Sequence, residues 1–126
     1  MPLLTADADF PVADADAEAF ADALTALYAD HMDTSTGHVA VVLRDDVQLS
    51  LGRAVEGRRL FLDPDVREGR SFEQKRSFAL AAMDEARDRF DVPAPNLKVT
   101  FTEHEGEQMM GYDRVGGDWS PDEDAD

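Results

Sequence analysis

The 126-residue sequence predicts an α+β fold: two tandem β-α-β units forming a mixed sheet, with two helices on one face. Three observations carry that prediction. Apolar residues recur at helical spacing in two separate stretches. β-branched or alternating runs flank each stretch. Turn residues, DTSTG after the first stretch and PAP after the second, mark the boundaries.

Taken in order, Leu3 to Ala8 reads as a short first strand and Phe10-Pro11 as a turn. Asp14 is placed as the N-cap of a helix running to about Met32. Phe20, Leu24, Leu27 and His31 keep the helical period, and the repeated Asp-Ala pairs before them form its solvated side. His38 to Leu43 (HVAVVL) is apolar on both faces, which places it in the middle of the sheet, covered on both sides. Asp45-Asp46 turns the chain into a further strand, Val47 to Leu51, and a short extended piece spans Arg59 to Leu62. Ser71-Phe72-Glu73-Gln74 is a capping box opening the second helix. Its expected apolar face is Phe72, Ala79, Ala82, Met83, Ala86 and Phe90, and Pro93 and Pro95 end it. Asn96 to Thr102 alternates as a half-buried strand, and a helical turn is expected near Glu105 to Met110. The domain then spans 1–117, and 118–126 is an acidic C-terminal tail.

Composition narrows the function classes. There is no cysteine, which excludes disulfides, thiolate metal sites and a cysteine nucleophile. The net charge of −16 repels phosphate backbones and anionic lipids, so neither nucleic acid nor membrane is an expected partner. No apolar run approaches the ~20 residues of a membrane span. The first residues lack the features of a signal peptide, so a cytoplasmic location is expected. Lysine occurs only at Lys75 and Lys98 against 28 acids, a balance that fits a halophilic chain adapted to a salty cytoplasm. His31, His38 and His104 have no metal-ligand spacing, and no metal or cofactor is expected. His38, opening a covered strand, reads as a hydrogen-bonded structural residue.

Two features carry chemistry. Removal of Met1 would leave Pro2 with a free secondary amine, a group that ordinarily titrates near ~8 and is lowered by burial and by nearby cations. A proline in second position also occurs with no catalytic role. The second feature is Arg67-Glu68-Gly69-Arg70, directly before the Ser71 cap. Helix starts favour acids, and two arginines there reverse that preference in an acidic chain. They form either a receptor for a carboxylate or phosphate, or a solvated loop paired with surface acids.

Together, MPLLTADADF at the start, REGRSFEQK at 67–75, EQMMGYDR at 107–114 and GGDW at 116–119 resemble the tautomerase superfamily, specifically its cis-3-chloroacrylic acid dehalogenase-like group. The resemblance implies a tautomerase-type fold and a homotrimer. It implies Pro2 as the catalytic amine, with Arg67 and Arg70 binding the carboxylate of a small-molecule substrate. The chemistry it implies is keto–enol isomerisation, or hydration, dehalogenation or decarboxylation of small unsaturated acids.

The departures from that group matter too. Its histidine near the end of the first helix falls at Tyr28, with His31 one turn further on. Its water-activating tyrosine falls at Thr100 and the glutamate that works with it at Gly111. The loss of that pair argues against a hydrating dehalogenase and leaves an amine base facing an anion receptor, which suffices for tautomerisation. Tyr28 and His31 are the candidate helpers. The alternatives are a decarboxylase or hydratase of the same superfamily, and a non-catalytic acidic binding protein on this scaffold.

Overall fold

A computed structural model describes residues 1–121. Its element order is β1 (Leu3–Ala8), α1 (Asp14–His31), β2 (Ala40–Arg44), β3 (Leu60–Arg67), α2 (Phe72–Phe90), β4 (Leu97–Val99) and β5 (Thr102–His104). Short 3-10 turns at Ala94–Asn96 and Gly106–Gln108 complete it. β1 runs parallel to β2, and β3 runs parallel to β4 and β5. The two β-α-β halves meet where β1 and β3 pair antiparallel. The result is the expected α+β architecture, a five-stranded mixed sheet in the order β2-β1-β3-β4, with β5 also on β3.

Alternation decides which side of the sheet is covered. Leu4, Ala6 and Ala8 of β1 and Leu60, Leu62 and Val66 of β3 are buried against Phe20, Leu24 and Tyr28 of α1 and Phe78, Ala82, Ala86 and Phe90 of α2. The intervening residues of the two central strands, among them Thr5, Asp7, Phe61, Asp63 and Asp65, are half-buried or exposed on the opposite face. Phe72 does not join the core but is 69% exposed, and Phe78 takes the expected place. As the first residue of α2, Phe72 stands beyond the reach of the helix's packed stripe.

Four local expectations are corrected. The strand expected at His38 to Leu43 is Ala40–Arg44, and it lies at the edge of the sheet, not in its middle. Val41 and Leu43 pack toward the core, while Ala40, Val42 and Arg44 are exposed. Val47 to Leu51 forms no strand: it passes the end of β1, where the Val47 amide donates to the Ala8 carbonyl, and no strand of the described residues lies beside it. Helix α1 is not capped by Asp14. Ala13 occupies the cap without a side-chain bond, and Asp14 and Asp16 instead place negative charge in the first turn.

The fourth correction concerns the segment after Arg59, which continues as the eight-residue β3, straight through Pro64. Proline lacks an N–H and is rare in central strands. Here β4 and β5 share one register on β3, with Leu60 opposite Leu97 and Asp65 opposite Thr102. Pro64 therefore faces Phe101, where the ladder is interrupted and the last strand splits in two.

The capping box at Ser71 and Gln74 is present as expected, with the Gln74 amide donating to Ser71 Oγ at 3.1 Å. Fully buried Asn96 ties the loop before β3 to the start of β4. Its Oδ1 accepts from the Val55 amide at 2.8 Å, and its Nδ2 donates to the Val55 and Arg58 carbonyls at 2.9 and 3.0 Å. Among the described residues no helix is long and apolar enough to cross a membrane. Asn96→Ala is expected to lower stability by about 3 kcal/mol, because it strands buried backbone groups. Ser71→Ala is expected to cost about 1 kcal/mol through loss of the cap. Urea denaturation of the two variants beside the parent checks both values and their order.

Candidate functional site

The topology gathers the candidate residues at one end of the sheet. β1 begins where β3 ends, because the two are antiparallel, with Leu3 opposite Asp65. Continuing that register by two residues sets Met1 across from Arg67. α1 returns antiparallel to β1, so its C-terminal residues Tyr28 and Met32 come to the same end. α2 begins there too, just after Arg70. Tyr28, Arg67 and Arg70 are thereby brought together, and Pro2 stands at the same end of the sheet, from three segments distant in sequence.

Pro2 is buried, and its carbonyl accepts the Ala40 amide at 3.0 Å, tying the chain start to β2. Met1 precedes it, so the Pro2 nitrogen sits in a peptide bond. Arg70 is only 6% exposed. Its Nε donates to the Met32 carbonyl at 2.6 Å, at the C-terminal end of α1, where a cation complements the helix dipole. The guanidinium lies between two rings, 5.5 Å from the Tyr28 centroid and 5.0 Å from that of Trp119. Arg67 is half-buried and donates to the Gly117 carbonyl at 2.9 Å.

Trp119 is seated rather than trailing in solvent. Its indole donates to the Asp33 carbonyl at 3.1 Å, and its amide donates to the Glu68 carbonyl at 2.9 Å. The approach is close enough to require glycine at position 69, whose φ is +125° and where an added Cβ would stand 2.1 Å from the Trp119 carbonyl oxygen. The expected tail thus begins as a fixed strap over Arg70, and residues 122–126 of it lie outside the described residues.

Tyr28 is fully buried, and its hydroxyl finds no hydrogen-bond partner among the described residues. Burial raises its pKa above the ordinary phenolic value, partly offset by the Arg70 and Arg67 charges, which favour the phenolate. His31 is not in this cluster. Its Nδ1 lies 2.6 Å from Ser77 Oγ, on the seam between α1 and α2. His38 lies just before β2, with its Nε2 2.8 Å from Arg114 Nη1.

One pair escaped the sequence reading. His104 Nε2 lies 2.8 Å from Asp65 Oδ1, joining β5 to β3 on the face of the sheet opposite the helices. The pair lines a cleft of about 380 Å³ together with Met1, Leu3, Gln108 and Met110. Only the β3–β5 register brings these two residues together, and the expected strand ended short of His104. Among the described residues no group of three or more His, Asp or Glu is placed to hold a metal ion.

This arrangement is that of the tautomerase fold. Solved structures similar to the chain include N1, a member of the cis-3-chloroacrylic acid dehalogenase family, with a TM-score of 0.80 at 24% identity over 92% of this chain and 84% of that one. Leishmania major MIF2 gives 0.79 at 10% identity, over 92% of this chain and 97% of that one. Malonate semialdehyde decarboxylase gives 0.73 at 18% identity, over 89% and 92%. No family model matches the chain, and no curated protein sequence does.

Two measurements check the site's packing. Tyr28→Phe removes a buried hydroxyl without a partner and is expected to leave stability at neutral pH unchanged or about 1 kcal/mol higher. A raised folded-state pKa means that the Tyr28 contribution is whole below pH ~10 and is lost as pH rises through the folded value. Tyr28→Phe is therefore also expected to flatten the alkaline fall in stability. Gly69→Ala is expected to unseat the single tryptophan and shift its fluorescence toward that of exposed indole.

Proposed function

We propose that this protein is an N-terminal-proline tautomerase acting on a small carboxylate-bearing keto or enol compound. The observation that carries the reading is the β1–β3 register, which sets the start of the chain against the strand that ends in Arg67 and leads to Arg70. Removal of Met1 would convert the Pro2 nitrogen from an amide into a secondary amine at that position. A neutral amine takes a proton from carbon beside a carbonyl, and its protonated form returns one. The two guanidinium groups supply positive charge for the substrate carboxylate and favour the neutral amine. Tyr28, behind Arg70, is the helper in this reading rather than His31, which is engaged with Ser77.

The neighbours' chemistry is compatible with such a substrate. One similar structure, with a TM-score of 0.78, is described as inactivated by 2-oxo-3-pentynoate, an acid with a carbonyl beside its carboxylate. The decarboxylase is described with both decarboxylase and hydratase activities, and release of carbon dioxide from a 3-oxo acid would mark that second reading for this chain. The proposed assembly is a homotrimer, in which the β2 and β4 edges would find partners. Light scattering at three times the chain mass tests it.

The functional test is enol-to-keto turnover of phenylenolpyruvate by protein lacking Met1. A form that keeps Met1 is expected to be inactive, and Arg67→Ala is expected to lower kcat/KM by about 100-fold. Arg70→Ala is expected to lose as much, with tryptophan fluorescence reporting whether Trp119 stays seated. Pro2→Ala retains an amine and is expected to lose only part of the rate. Equal turnover in all forms would remove the assignment.

A further inference from the structure

An enol has two protons to manage, one at carbon and one at oxygen, and a single amine attends to only one of them at a time. In the group this sequence resembles, a tyrosine and a glutamate assist the proline, and here those positions hold Thr100 and Gly111. An added Cβ at Gly111 would stand 3.6 Å from Met1 Cε, so a side chain at 111 would be directed at the chain terminus. Glycine brings no ionisable group of its own there, although Asp113 Oδ1 would stand 3.7 Å from that Cβ. The cleft that Met1 lines holds an ionisable pair, His104 and Asp65.

We propose that His104 is a catalytic residue that removes the enol oxygen proton, with Asp65 positioning it. This inference rests on the tautomerase reading above and adds a second proton-transfer group to it. Three facts of geometry support it. Met1 and His104 line one cleft, so loss of Met1 opens the Pro2 nitrogen toward the imidazole. Arg67 lies opposite His104 in the β3–β5 register, and Leu3 lies opposite Asp65, so terminus, cation and imidazole cross three adjacent strands. At ~4.8 Å per strand the span is about 10 Å between backbones, which a small acid fills once side chains extend into it. Finally, the Asp65 carboxylate accepts from His104 Nε2 at 2.8 Å. That bond holds the neutral ring in the tautomer protonated at Nε2 and leaves the Nδ1 lone pair as the base.

The step balances without a further reactant. The protonated Pro2 amine gives its proton to the carbon, and the C=C electron pair forms the new C–H bond. The enol O–H bond breaks toward His104 Nδ1, and the oxygen becomes the carbonyl. The imidazolium proton then returns to the amine through water.

The test uses the full chain lacking Met1. With phenylenolpyruvate, His104→Gln is expected to lower kcat by about 100-fold with KM little changed, and Asp65→Asn by about 10-fold. Phenylpyruvate, the keto product, is expected to move the His104 imidazole NMR signals saturably. Parent turnover with an unimpaired His104→Gln variant would overturn the His104 role and leave the Pro2 reading intact. Unmoved His104 signals would overturn it whatever the turnover. Loss of rate in His104→Gln with full rate in Pro2→Ala and Arg67→Ala would sink the Pro2 reading instead.

Discussion

The antiparallel pairing of β1 with β3 is the constraint on which the site depends. Among the described residues it is the only junction within the sheet between the two β-α-β halves, and its register runs from Leu3 opposite Asp65 to Ala8 opposite Leu60. A slip of one residue would turn Leu4, Ala6 and Ala8 away from α1 and α2 and onto the open face. The hydrophobic pattern therefore fixes the register. The register in turn fixes what stands beside the chain terminus: Asp65 and Arg67 on one strand, and His104 on the next. Core packing and site geometry are in this sense one specification.

Arg70 is a cation buried to 6% exposure in a chain of net charge −16. A buried charge needs compensation. Part of it comes from the carbonyl of Met32, at the C-cap of α1, and from the faces of Tyr28 and Trp119. The strap that carries Trp119 lies over the cation and is held there by the indole bond to the Asp33 carbonyl.

How much of this was legible in the sequence depends on the range of the interaction. The capping box at Ser71 and Gln74, the first strand and both helices follow from neighbouring residues, and they are where the residues placed them. So are the two arginines, set off by their position before a helix start. What sequence could not supply was pairing. Asp63-Pro64-Asp65 has the local chemistry of a turn, and it ran as a central strand because β5 yields its ladder opposite the proline. HVAVVL has the composition of an interior strand but sits at the edge, where Val42 remains 42% exposed. His104 and Asp65 lie far apart in the chain, and only the register makes them a pair.

Pro2 joins the fold to the proposed chemistry through what it does not do. Its carbonyl accepts the Ala40 amide, and that bond anchors the start of β1 to β2. Its nitrogen has no hydrogen to give, so no ladder bond depends on it. Any other residue in this position would present an amide N–H to the sheet, and removal of Met1 would turn that amide into an amine. With proline the strand is held from the carbonyl side alone, so the state of the nitrogen can change without disturbing a single hydrogen bond of the sheet. The pyrrolidine ring also ties that nitrogen to the side chain, so it stays in place once it is exposed. The rigid, structurally unencumbered amine of the proposed chemistry and the stable start of β1 thus make compatible demands on the same residue.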